Sequence, residues 1–186
     1  MVSLAQLWLP ILLSAVFVFI ASSLLHMVLK FWHLPDYKGF TNEDEVRAAI
    51  RKGNAAPGMY VLPHCDMEAM KKPETQEKFK EGPVGFVILR PSGAINMGRN
   101  LGQWFAFCVV VSLLSAYLAA HTMAPGMPFK HVFCVLGTAA FMGYALGSLP
   151  MGIWWGQPWR AVAKDVIDGL VYALITAGTF GWFWPA

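Results

Sequence analysis

Charge is scarce in this sequence. Only 13% of its 186 residues are Asp, Glu, Lys or Arg, about half of the ~25% carried by a typical soluble domain. With 56% hydrophobic residues and a mean hydropathy of +0.49, the expected solvent is a membrane rather than water. Cysteine is also scarce. Cys65, Cys108 and Cys134 form no C-x-x-C pair, which argues against a disulfide framework or a zinc ribbon. Cys108 and Cys134 lie in apolar runs and read as small buried hydrophobes. No G-x-S-x-G, P-loop, G-x-G-x-x-G or H-E-x-x-H occurs, so no motif marks a catalytic site. No internal repeat is visible, and with it goes the inverted-repeat signature of many transporters. The net charge of +3 gives no basic surface for nucleic acid.

What the chain does have is long apolar runs. Four reach the roughly 20 residues needed to cross a bilayer: 4–29, 101–120, 132–153 and 163–184. The first is read as a span and not as a signal peptide. Its leading residues lack Lys and Arg, and its apolar run exceeds the ~7–15 residues of a signal core. The eight tryptophans fit this frame. Trp8, Trp182 and Trp184 fall at one set of span ends, and Trp32, Trp104, Trp154, Trp155 and Trp159 at the other. Indole rings prefer the headgroup level, so this is an aromatic-belt pattern. Eleven of the fourteen Lys and Arg lie between the first two spans. Arg160 and Lys164 join them on that side, against Lys130 alone on the other. The positive-inside rule then places the insert in the cytoplasm and both termini outside.

The expected fold is therefore an all-α membrane protein with four transmembrane helices and a small α+β insert between helices 1 and 2. Its expected parts are 1–29, the insert 30–100 and a three-helix bundle 101–186. Within the insert, Asn42 and Glu45 have capping-box spacing at a helix start, and Gly53 ends that helix. Residues 59–62 and 84–89 read as strands and Pro73 opens a second charged helix. Pro91-Ser92-Gly93 is a turn, and 94–97 reads as a third strand. About 70 residues make a meagre core.

Two groups of residues stand out in the last three spans. Small residues recur every fourth position: Cys108, Ser112, Ala116 and Ala120; Ala139, Gly143 and Gly147; Gly169, Ala173, Ala177 and Gly181. In lipid, such stripes let backbones approach closely where no hydrophobic drive exists. Packing of spans two, three and four within one chain is the first reading, and a homo-oligomer interface the second. The other group is Arg160, Lys164, Asp165 and Asp168, at the mouth of the fourth span. The first three can reach water from the interface. Asp168 lies one turn deeper, where an ionisable residue is a functional hypothesis but can also pair with Lys164 four residues back.

The other polar features read as structural. His64-Cys65-Asp66-Met67 is adjacent in sequence without ligand spacing, so Asp66 is read as capping a turn. His26 and His33 lie at one membrane face and His121 and His131 at the other, which offers no bridged haem or metal. His26 is expected to bond a neighbouring helix. Tyr117, Tyr144 and Tyr172 are mid-span hydroxyls that need partners, and with Thr138 and Thr176 they can line a small polar pocket. Pro150 is expected to kink or end the third span. No catalytic residue, cofactor ligand or metal ligand is assigned.

The runs GPVGFVILRPSGAINMGRNLGQW and DGLVYALITAGTFGWFWP resemble parts of a family of short bacterial inner-membrane proteins with four spans and no assigned activity. The resemblance implies a bacterial inner membrane and supplies no cofactor or catalytic residue. The leading functional expectation is a non-catalytic accessory or scaffold that presents residues 30–100 to a protein partner. A small oligomeric transporter or channel using Asp165 and Asp168 is the alternative. A membrane enzyme using Asp168 and His26 on a lipid is the third reading.

Overall fold

The computed structural model describes residues 2–186. The chain is mostly helical and divides into two units. One comprises the chain up to Tyr37, Asn96–Gly152 and Gln157–Ala186. The other comprises Lys38–Ile95 and Ile153–Gly156.

The helical unit begins with a tight turn, Leu4–Leu7. It is fixed by Ser3, whose N–H donates to Gln6 Oε1 at 2.9 Å and whose Oγ accepts from the Gln6 N–H. Helix α1 (Trp8–Ser23) buries Ile11, Ser14, Ala15, Val18 and Ser22, the i, i+3, i+4, i+7 positions of a single face. The next elements of this unit are α2 (Lys30–His33) and, beyond the inserted unit, α5 (Met97–Thr122). The Asn96 side chain accepts from the Arg99 N–H at 2.9 Å and caps α5. After α5 come α6 (Phe129–Tyr144), α7 (Leu149–Trp154) and α8 (Trp159–Trp182). Among the described residues, three helical stretches are long and apolar enough to cross a membrane: Leu4–Val28, Met97–Thr122 and Phe129–Trp154. The expected span 163–184 forms α8, which does not belong to that set.

Close approach through small residues is what joins these helices. The most extensive interface is α6 against α8. A Cβ on Gly169 would sit 2.7 Å from the Ala145 Cβ, and one on Gly181 would sit 2.7 Å from the Phe129 ring. One on Gly137 would lie 3.1 Å from the Ala177 Cβ. The stripe Gly169–Ala173–Ala177–Gly181 is thus the packing face of α8. The stripe Cys108–Ser112–Ala116–Ala120 is buried along its whole length. It engages α1 as well, where Ser14 Oγ donates to Ser112 Oγ at 2.9 Å, so the first helix belongs to the bundle too. The third stripe departs from expectation. Gly143 faces Val111 of α5, Ala139 is only partly buried, and Gly147 has nothing nearby. On α6 the buried positions are Val132, Leu136 and Ala140. Cys108 is buried, but Cys134 is exposed on α6 and not a core residue. The break in this region also falls earlier than Pro150. Pro150 has no N–H for the Leu146 carbonyl four residues back, and its ring crowds that carbonyl. The chain therefore tightens into a 3-10 turn at Leu146–Ser148 before α7.

The second unit holds α3 (Glu43–Lys52), β1 (Gly58–Leu62), α4 (Pro73–Glu81) and β2 (Gly85–Leu89). The two strands are antiparallel, with Met59 opposite Ile88 and Val61 opposite Phe86. Acidic residues open α3 and basic residues close it, which complements the helix dipole. Asn42 stands at the N-cap, but no capping box forms. Its amide donates instead to Glu45 Oε2 at 2.9 Å. Residues 94–97 form no third strand, because Asn96 caps α5 and Met97 begins it. The Asp66 side chain accepts from the Ala69 N–H at 2.6 Å and caps a short turn, as its spacing suggested.

Candidate functional site

The site is built where α1 stops being regular. At Leu24–Val28 the helix widens into a π turn, and the Leu29 N–H reaches back five residues to the Leu24 carbonyl at 2.9 Å. Such turns recur at functional positions because they re-aim side chains that a regular helix would spread round its axis. Leu29 then leaves helical geometry at φ −83, ψ 66. The short helix α2 and the Pro35-containing turn Leu34–Asp36 follow. This corner stacks the His26 and His33 rings, with centroids 4.2 Å apart and planes 13° from parallel.

Helix α8 supplies the opposing groups. His33 Nε2 lies 2.6 Å from Asp168 Oδ2, and Trp32 Nε1–H donates to Asp168 Oδ1 at 2.8 Å. One turn earlier, Lys164 Nζ donates to Asp36 Oδ2 at 2.6 Å and to the Trp32 carbonyl. The ammonium also lies 5.5 Å from the centre of the Trp32 ring, within cation–π range. These groups are withdrawn from water. The Asp168 side chain is 4% exposed and that of Lys164 8%. Each charge thus has a specific partner, as burial demands.

Lys164 and Asp168 do not pair with each other. Their four-residue spacing permitted it, but both turn to the corner formed by Trp32, His33 and Asp36. Asp165, half-buried, accepts from Gln157 Nε2 at 2.9 Å. Arg160 is exposed. His26 bonds within its own helix: Nδ1 lies 3.1 Å from the Ser22 carbonyl, and its Nε2 lies 3.7 Å from Asp168 Oδ2. The histidines at 26 and 33 therefore belong to one cluster with Asp168; the sequence joins His26 to Asp168 only in the membrane-enzyme reading and leaves His33 out of it. His121 is remote from it, and its Nδ1 lies 2.8 Å from the Tyr117 carbonyl.

Beside the cluster is a cavity of about 370 Å³ lined by Ser22, His26, Trp104, Tyr144, Asp165, Asp168 and Tyr172, together with Met27 and Leu101. Trp104 Nε1–H donates to Ser22 Oγ at 2.8 Å. Tyr172 is 4% exposed, and its hydroxyl is buried with no hydrogen-bond partner among the described residues. Of the hydroxyls expected to share a pocket, Tyr144 and Tyr172 do. Tyr117 is exposed, Thr138 bonds the Cys134 carbonyl, and Thr176 bonds the Tyr172 carbonyl.

Trp32, His33, Asp36 and Ser22 were not singled out from the sequence as partners of the α8 charges. The signal that points to them is depth. A carboxylate buried one turn inside an apolar helix needs donors at its own level, and 32–36 is the polar stretch that follows the first apolar run. No family model, curated protein or solved structure matches the chain.

Proposed function

We propose that this is a four-span membrane protein that binds an amphipathic, lipid-like molecule in the cavity between α1, α5 and α8. The observation that carries the reading is the cavity itself. It is mostly apolar, and a few polar residues line it, His26, Asp165 and Asp168. That combination is the usual character of a small-molecule site.

The fourth span in this proposal is α8. Its 24 residues reach about 36 Å at ~1.5 Å per residue, enough for a ~30 Å hydrocarbon layer. Its deeper charges, Lys164 and Asp168, are matched by Asp36, Trp32 and His33, which supports their place at a membrane end. The Lys and Arg asymmetry favours a cytoplasmic insert with both termini outside. The family resemblance favours a bacterial inner membrane. The transporter reading is less well supported, because Asp165 accepts from Gln157 Nε2 and Asp168 Oδ1 from Trp32 Nε1–H, so each carboxylate is anchored to a fixed donor.

The test is native mass spectrometry of the protein extracted gently from its own membrane. A retained amphipathic molecule is expected. It should be lost when Met27→Trp, at an exposed position of the cavity wall, fills the mouth. A wild-type protein that retains nothing refutes the reading.

One observation favours a second reading, the accessory protein. Met59, Val61, Phe86 and Ile88 share a face of the two-stranded sheet, and all are exposed. An exposed apolar face of this kind suits a protein partner. Phe86→Asp with Ile88→Asp should then strip a co-purifying polypeptide while leaving the protein in the membrane.

A further inference from the structure

We propose that His26, His33 and Asp168 form a binding site for a first-row divalent metal ion of the zinc class, with an open coordination position towards the cavity. The site goes beyond the proposed amphipathic ligand and does not depend on it.

The first argument is hydrogen placement. The Ser22 carbonyl can only accept, so the bond to His26 requires the hydrogen on Nδ1. Nε2 of the neutral ring then carries a lone pair. That lone pair faces Asp168 Oδ2 across 3.7 Å, and a carboxylate is also only an acceptor. His26 Nε2 and Asp168 Oδ2 thus present two lone pairs to one point of the cluster, a placement that a shared cation can use. The same arrangement is what metal-binding histidines use, with the far ring nitrogen donating to a backbone carbonyl and so fixing the tautomer. Asp168 is oriented in the same manner, since its other oxygen accepts from Trp32 Nε1–H.

The second argument is distance. The donor atoms of the three residues all lie within 4.8 Å of one another. A tetrahedral zinc with bonds of about 2.1 Å holds its ligand atoms about 3.4 Å apart. The His26–Asp168 separation is already close to this. The His33–Asp168 separation, 2.6 Å, is that of a hydrogen bond and must widen by about 0.8 Å, and the two stacked rings, 13° from parallel, must turn so that both Nε2 lone pairs meet one ion. On loading, His33 carries its hydrogen on Nδ1 and presents Nε2 to the metal.

The third argument is charge. The Lys164 ammonium and the Asp36 carboxylate cancel. With neutral histidines, Asp165 and Asp168 leave two negative charges at the cavity, and a divalent ion balances both. Two imidazoles and one carboxylate suit zinc, iron or cobalt rather than magnesium or calcium, which prefer all-oxygen sites. Three protein ligands with one position open is the pattern of a reactive zinc rather than a closed structural one. The cavity, lined by His26 and Asp168, is where water or a polar headgroup would take the fourth place.

The experiment uses the full chain in nanodiscs, stripped with chelator and titrated with Zn²⁺ under equilibrium dialysis. Co²⁺ serves as a coloured probe of coordination. One Zn²⁺ per chain and the intense visible bands of four-coordinate Co²⁺ are expected. His26→Ala, whose side chain is 46% exposed and least needed for folding, should weaken binding on the order of 100-fold. Trp32→Phe leaves all three ligands and should weaken it about 10- to 100-fold by releasing Asp168. His64→Ala, away from the cluster, should change nothing. No stoichiometric Zn²⁺ in the wild type, or binding that survives His26→Ala and His33→Ala alike, overturns the proposal. In the first case the cation between His26 and Asp168 is a proton, and the cluster is an ion pair. Retention of the amphipathic molecule is read by mass in the same preparations, so either reading can fail without the other.

Discussion

Replacing Lys164 by Met tests the energetic core of the helical unit. The substitution keeps much of the side chain's length and removes its charge. It leaves the Asp36 carboxylate, 14% exposed, without its cation, and the Trp32 carbonyl without its donor. Both side chains of this pair are far below one-third exposed, so the discount that applies to surface pairs does not apply here. Removing one partner of a buried pair destabilises by about 3–5 kcal/mol, because the remaining charge stays desolvated and alone. Asp36→Leu should cost less. Lys164 keeps the Trp32 carbonyl and ring, and its long stem can carry the ammonium towards water. The double variant Lys164→Met with Asp36→Leu removes both charges and should lie close to the wild type, since an apolar pair of similar volume is often neutral. The assay is unfolding by SDS in mixed micelles, followed by circular dichroism, for all four proteins. Lys80→Ala is the internal control. Its pair with Glu77 is 71% and 62% exposed, and its loss should shift stability by no more than about 0.5 kcal/mol. A loss below about 1 kcal/mol for Lys164→Met would refute the reasoning, as would a double variant as unstable as the sum of the singles.

The remaining predictions concern packing and the cavity. Gly169→Ala forces a Cβ to 2.7–2.9 Å from the Ala145 Cβ and backbone and should destabilise by about 1–3 kcal/mol. Gly178→Ala meets nothing within 4 Å and should be neutral or stabilise by up to about 1 kcal/mol; the same SDS titration separates them. Ser14→Ala breaks the buried bond to Ser112 and should cost about 0.6 kcal/mol, the mean for polar contacts between membrane helices. Tyr172→Phe removes a buried hydroxyl that has no partner among the described residues. It should stabilise the protein by up to about 1–3 kcal/mol, because an unsatisfied buried hydroxyl is removed, read by the same SDS titration.

Periodic signals carried over into the structure better than pairings did. The small-residue face of α8 was legible because period four is a local property of one helix, and its approach to α6 follows from sterics alone. The bounds of α3, β1, α4 and β2 were legible for a similar reason, with Pro73, Gly53 and Gly82 acting within a residue or two of themselves. The stripe at Ala139, Gly143 and Gly147 shows the limit of this logic. The 3-10 turn at Leu146–Ser148 ends the regular repeat, so Gly147 has no place on the Gly143 face. The partners of Lys164 and Asp168 were not legible from spacing. The i, i+4 rule sees neighbours on one helix, whereas the partners lie about 130 residues earlier in the chain. They are in reach because of a π turn that no residue type in Leu24–Val28 marks.

That π turn also explains why two ordinary histidines become a cluster. On a regular helix, residues 26 and 33 would lie two turns, about 10 Å, apart along the axis. The corner at Leu29 brings the two rings to 4.2 Å. Straightening the corner should therefore separate the rings, release Asp168 from His33 and Trp32, and open the metal site in one step. Deleting Val28, which is in the π turn and is not a ligand, shortens the turn towards regular helical spacing and tests this. Zn²⁺ binding should fall at least as far as in His26→Ala, although His26, His33 and Asp168 are all still present. Unchanged Zn²⁺ binding in a folded deletion variant would mean that the corner does not hold the ligands together.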